Sequence, residues 1–210
     1  KTITNKKINF FSTLNIMRNF LLFTLVIASI SLYGQRRDGV MAIHLHYGLT
    51  EGKGQVSNFF GFFNEPKASM GGVGLSYILG NKGFLVDTNL FFQDYYVDKD
   101  KLNLPYQLYG LNLQGGWSYE KIRFMYINLK AGGFIGLEKI NNGEKNGAYG
   151  IPLKNPVENF TYGVVLTPEV EIKLYRNLFL TLQGNQYWNI GSKYANLKFS
   201  TELGLKYYLN

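Results

Sequence analysis

The sequence predicts an all-β fold, an eight-stranded antiparallel up-and-down transmembrane β-barrel preceded by a helical signal peptide. Three observations lead there. Segments of about ten residues alternate with period two, apolar on one face and polar or charged on the other. The connections between them alternate between long and short, as in outer-membrane barrels. An apolar run flanked by a basic residue and a small residue precedes the first segment.

The elements follow in chain order. Residues Lys1–Ile16 read as an upstream extension ahead of a start at Met17. Residues 17–34 have signal-peptide form: Arg18 in the n-region, an apolar Phe20–Leu32, and small Gly34 before a cut at Gln35. The run is short for a spanning helix, which needs about 20 apolar residues. Residues 35–210 then form the barrel. Removing 1–34 takes away four basic residues and no acid, lowering the net charge from +8 to +4. The remaining basic residues form no dense stripe, so direct nucleic-acid binding is not expected. With no cysteine, thiolate metal sites, disulfides and a lipidated N-terminal cysteine are excluded.

The first expected strand is Met41–Leu49, with Ile43, Leu45 and Tyr47 against His44 and His46. A Gly/Phe/Asn-rich segment, Thr50–Lys67, leads to Ser69–Leu79. Gly80-Asn81-Lys82-Gly83 is a tight turn rich in residues that tolerate positive φ. The third strand is Phe84–Tyr95, then a charged loop Val97–Pro105, then a fourth strand Tyr106–Tyr119. After Glu120-Lys121 comes Ile122–Leu137. A loop Glu138–Glu158, rich in Asn, Gly and Pro, leads into a sixth strand, Thr161 to Tyr175. Arg176-Asn177 turns the chain into Leu178–Trp188, and Leu197–Leu209 is the eighth strand.

An even-numbered meander closes without an edge, which hydrocarbon requires because unpaired backbone groups cost several kcal/mol there. The expected location is the bacterial outer membrane with both termini periplasmic, in contact with outer-membrane lipid. Outward aromatics near strand ends suggest interfacial girdles: Tyr77, Phe84, Trp117, Tyr119 and Tyr207 on the periplasmic side, Tyr47, Tyr109 and Tyr162 on the outer side.

The polar face carries Asp87, Lys130, Glu169, Glu171, Lys173, Lys198, Glu202 and Lys206. So many ionisable groups do not suit a soluble core but do suit a lumen. Eight strands leave an interior that side chains fill. The charges should therefore neutralise one another there, with Lys130, Lys198 or Lys206 opposing Glu169 and Glu171. His44 and His46 share that face. They raise an enzymatic alternative, a lipid-modifying barrel, or a two-histidine metal site. No nucleophile and no third ligand stands at a telling spacing, so neither a catalytic residue nor a cofactor is expected. Gly71-Gly72-Val73-Gly74 lacks the helix and third spaced glycine of a dinucleotide fingerprint. Glycines on a barrel's inner face make room for bulky neighbours.

The last third carries a family resemblance. Thr167-Pro168-Glu169-Val170-Glu171 lies in a strand before the Arg176-Asn177 turn. Gln186-Tyr187-Trp188-Asn189-Ile190-Gly191-Ser192 follows, and the chain closes with Phe199-Ser200-Thr201-Glu202-Leu203-Gly204-Leu205-Lys206-Tyr207. Phe84–Tyr95, Pro105 and a Gln107–Tyr119 strand containing Gly115-Gly116 extend the match. These features resemble the TraO family of Bacteroidetes conjugative transposons, over nearly all of the chain from Gln35 on. The resemblance implies a non-enzymatic outer-membrane component of a conjugative, type IV secretion-like DNA-transfer apparatus, with other transfer subunits as partners. The alternatives are a stand-alone barrel for adhesion or membrane integrity, or the lipid enzyme above. Gly204, Tyr207 and Leu209 resemble the C-terminal signal read by the outer-membrane assembly machinery, another expected partner.

Overall fold

A computed structural model describes residues 39–51, 67–80, 83–99, 102–122, 124–145, 158–192 and 197–209. The expected signal peptide and upstream extension lie outside the described residues. Eight strands form: β1 Met41–Glu51, β2 Lys67–Leu79, β3 Phe84–Lys99, β4 Leu102–Tyr119, β5 Met125–Ile140, β6 Glu158–Tyr175, β7 Leu178–Asn189 and β8 Leu197–Leu209. Each pairs antiparallel with its sequence neighbour. β1 also pairs with β8, closing the barrel, with Met41 opposite Leu209. The first and last described strands therefore begin and end beside each other, at the end that carries the turns after β2, β4 and β6.

The register sets the stagger. From Met41 the paired positions run through Tyr77, Val86, Gly115, Ala131, Leu166, Gln186 and Phe199. Phe199 lies one residue beyond the Thr50–Ser200 pair, level with Glu51. One circuit thus climbs from residue 41 to residue 51 of β1. A stagger of that size gives eight strands a tilt of roughly 40° and a narrow interior.

Period two assigns the faces. On β5 the burial alternates from Tyr126 to Leu137, with Tyr126, Asn128 and Lys130 inside and Ile127, Leu129, Ile135 and Leu137 outside. The outward residues of all eight strands make a continuous apolar belt in which Leu45, Leu90, Leu113 and Leu203 are exposed. The expected girdle residues Tyr77, Phe84, Trp117, Tyr119 and Tyr207 are outward near the short turns. Tyr47, Tyr109 and Tyr162 are outward toward the other end. Gly80 and Gly83 both take positive φ in the β2–β3 turn, where a side chain would be strained.

Three expectations are corrected. Val97–Pro105 is not a loop: β3 runs to Lys99 and β4 begins at Leu102, so only residues 100–101 connect them. Pro105 pairs with Tyr96, while β4 meets β5 only from Tyr106 onward. One edge of the strand is free of β5 at Pro105, so the missing N–H costs no ladder bond there. Strand five starts at Met125, not Ile122, and continues to Ile140. The turn that opens the expected 138–158 loop is therefore a short 3₁₀ segment at Asn141–Gly143. Phe199 has outward parity yet is buried, because its ring lies 3.3 Å from where a Cβ on Gly184 would stand.

Leu113 sits midway along β4 and is 60% exposed. Leu113→Arg should cost about 2–4 kcal/mol of stability in phospholipid vesicles. Urea titration followed by tryptophan fluorescence measures it. A negligible cost would place this face outside hydrocarbon.

Candidate functional site

The inward side chains fill the lumen in layers. At the short-turn end Ala42, Ile78, Leu85, Tyr126, Phe179 and Tyr208 form an apolar floor. Tyr126 stacks on Phe179 at 5.3 Å between ring centres, and Phe179 meets Tyr208 edge-on at 5.1 Å. Toward the other end Phe91, Phe134 and Tyr187 make a second aromatic layer, with Met70, Leu108 and Val165 around it. Between these layers lies a buried polar cluster.

Glu169 and Glu171 are its centre. They stand two residues apart on β6, so both point inward. Lys206 of β8 reaches both, with Nζ 2.8 Å from Glu169 Oε1 and 2.9 Å from Glu171 Oε1. Lys130 of β5 lies 3.0 Å from Glu169 Oε2 and 3.5 Å from Asp87 Oδ2. Asn128 donates to both glutamates at 2.7 and 2.6 Å, and the Tyr208 hydroxyl donates to Glu171 Oε2 at 2.7 Å. The floor is thus hydrogen-bonded to the cluster above it.

A second group surrounds Glu202. His46 Nδ1, Asn185 and Gln183 all contact its carboxylate, and Ser200 donates to Oε1 at 3.0 Å. His44 stacks on His46, with ring centres 5.6 Å apart, and its Nε2 lies 3.3 Å from Asp87 Oδ2. Glycines opposite the histidines make the room. A Cβ on Gly74 would come within 2.6 Å of His44 Nε2, and one on Gly204 within 2.9 Å of His46 Cβ. The glycine-rich stretch of β2 is therefore the hollow into which two imidazoles fit, and Gly204 has a packing role inside the wall.

The predicted charges are thus divided among four places. Asp87, Lys130, Glu169, Glu171 and Lys206 meet in one cluster, and Glu202 lies in the neighbouring histidine group. Lys198 does not join them: it is buried at the far end with Nζ 5.7 Å from the centre of the Tyr106 ring. There Tyr106 and Ser192 donate to Glu138 at 2.6 and 2.7 Å, and Asn159 donates to the same carboxylate at 2.7 Å. Lys173 has inward parity but is only partly buried, at the mouth where β6 meets Phe124. Glu138 escaped sequence reasoning because it stood in an expected loop. The inward aromatics escaped because aromatic residues suit either face of a barrel wall.

Chemically the cluster is a set of mutually satisfied charges. The Ser76 hydroxyl donates a hydrogen bond to Asp87 at 2.6 Å, so a carboxylate, not an imidazole, accepts from this serine. Among the described residues no group of three or more acidic, histidine or cysteine side chains is placed to hold a metal ion.

A closed eight-stranded meander with an apolar exterior and a charged, filled lumen defines an outer-membrane-type β-barrel. The model of the conjugative transposon protein TraO family matches residues 90–209, from mid-β3 to the end of β8. The chain belongs to that family, although β1 and β2 lie outside the matched range. Among solved structures it is similar to Neisserial surface protein A, at 9% identity and a TM-score of 0.58, covering 80% of this chain and 96% of that one. It is also similar to Ail, the attachment invasion locus protein of Yersinia pestis, at 12% identity and a TM-score of 0.53, covering 82% and 100%. These likenesses show the fold. No curated protein matches the sequence.

Breaking the cluster should be costly, since removing one partner leaves a buried charge unmatched. Glu169→Ala, which strips Lys130 and Lys206 of a shared partner, should destabilise the barrel by about 3–5 kcal/mol. Adding Lys130→Ala should recover part of that loss in a double-mutant cycle. Strict additivity would show that the pair carries no coupling. The filled lumen also predicts no solute flux above empty vesicles in liposome swelling with small sugars. Tyr126→Ala with Phe179→Ala, which opens the floor, should not swell faster than about one narrow leak allows, because the charged layer remains.

Proposed function

We propose that this protein is a non-enzymatic outer-membrane component of a conjugative DNA-transfer apparatus, acting as a scaffold or surface contact, not as the conduit. The observation that carries the reading is a TraO-family chain folded into a barrel whose lumen is filled by paired side chains. A DNA duplex, whose major groove alone is about 12 Å wide, cannot pass such an interior. In this reading the chain is exported by the signal peptide at 17–34 and inserted through its C-terminal Gly204, Tyr207 and Leu209. Both termini face the periplasm, and the 50–67 and 138–158 connections face outward. The charges Asp87, Lys130, Glu169, Glu171, Glu202 and Lys206 hold the interior shut, with Lys173 and Lys198 at its two ends. The engagement of Ser76 by Asp87 and not by a histidine supports a structural role for this serine over a nucleophilic one.

Conjugation provides the test. A donor lacking the protein should transfer its element far less often than the parent and recover when the gene is supplied in trans. Unchanged transfer frequency would overturn the proposal. Transfer subunits should co-purify with the barrel from the outer-membrane fraction.

A further inference from the structure

The two ends of the barrel differ in charge. The short turns hold Lys82, Lys121, Arg123 and Arg176 against a single acid, Glu120. The connections at the other end mix signs, as in the two-residue Asp100-Lys101 link and in Glu144-Lys145. Among the described residues, Lys121 and Arg176 are exposed and Lys173 is partly exposed. The fold brings Lys121 and Arg176 to one sector of the rim, with the inward-facing Lys173 between the two turns. Met125 pairs with Ile172, and the Lys173 amide donates to Phe124 O at 2.8 Å, tying the β4–β5 turn to the end of β6. Arg176 is two residues past that strand's Leu174 and folds over the exposed Tyr175 ring, with Cζ 5.3 Å from the ring centre.

What adjoins this sector decides the partner. Trp117, Tyr119 and Tyr175 are outward and exposed at the same end, with Trp117 and Tyr119 ring centres 6.1 Å apart. Exposed indole and phenol rings mark the headgroup level of a bilayer. Basic side chains on flexible stems beside them reach lipid phosphates. An acidic protein segment would need the charges alone; the flanking interfacial aromatics fit a lipid.

We propose that Lys121 and Arg176 form a binding surface for anionic phospholipid headgroups of the leaflet that meets the short turns. Given the orientation above, that is the periplasmic leaflet. Each basic residue at an anionic surface is worth roughly fivefold in affinity. The surface anchors the barrel's rotational setting and depth at that leaflet. It is independent of any transfer role, so a negative mating result leaves it standing.

The experiment uses the full mature protein purified in detergent from vesicles containing equal phosphatidylglycerol and phosphatidylcholine, with retained lipid measured by native mass spectrometry. Wild type should retain phosphatidylglycerol preferentially. The double variant Lys121→Gln, Arg176→Gln should lose that preference by at least about tenfold. Lys121→Arg, Arg176→Lys, which keeps the charge, should retain it. Heat-modifiable gel migration checks that each variant is folded. Equal retention of the two lipids by wild type, or a preference unchanged in the folded neutral variant, would overturn the proposal. So would an acidic polypeptide that co-purifies through these residues in place of phosphatidylglycerol.

Discussion

Every backbone N–H and C=O inside hydrocarbon must find a partner within the protein, and the rest of this structure depends on that requirement. A sheet meets it only by closing, so β1 must pair with β8. Closure at eight strands with this stagger fixes a narrow interior. Period two then sends half of each strand's side chains into that interior, whatever their chemistry. The charges on the inner face follow from the same requirement as the leucines on the outer face. Neither face can be altered without regard to the other.

The narrow lumen explains why the charges are paired as they are. Lone ions there would be too costly, and several would not fit without sharing partners. Glu169 accordingly serves Lys130 and Lys206 at once, and Asn128 bridges it to Glu171. Two histidines enter only because Gly74 and Gly204 leave space beside them. Aromatic layers above and below exclude water from this polar centre, which strengthens its internal attractions. A family tied to conjugative transposons thus presents here a barrel whose described interior is packed with side chains, and the parts left to meet partners are the rim, the girdles and the connections.

Much of this was legible in the residues. The alternation of Glu169, Glu171 and Lys173 with Val170 and Ile172 marked which side was which, and Leu197–Leu209 did the same. The Arg176-Asn177 turn and the glycines at 80 and 83 marked hairpins through their backbone preferences. The β3–β4 hairpin is hidden in the sequence because its charges and Pro105 resemble a loop. Proline is tolerated there only because β5 has not yet joined β4, a fact about a neighbour, Ile140, far along the chain. Glu138 was lost for a similar reason: its partners Tyr106, Ser192 and Asn159 come from three other places in the chain.

By itself the sequence determined the strands, their two faces and the need to close, since these depend on local periodicity and on the solvent around the chain. Only the tertiary structure decided which charges meet. Lys206 touches Glu169 and Lys198 does not, although both lie on the inner face of β8. The stagger of the closed sheet sets the height of each residue in the lumen, and eight positions along a tilted strand separate a lysine in the charged layer from one at the mouth. That height is a property of the whole circuit of pairings, so no single segment contains it.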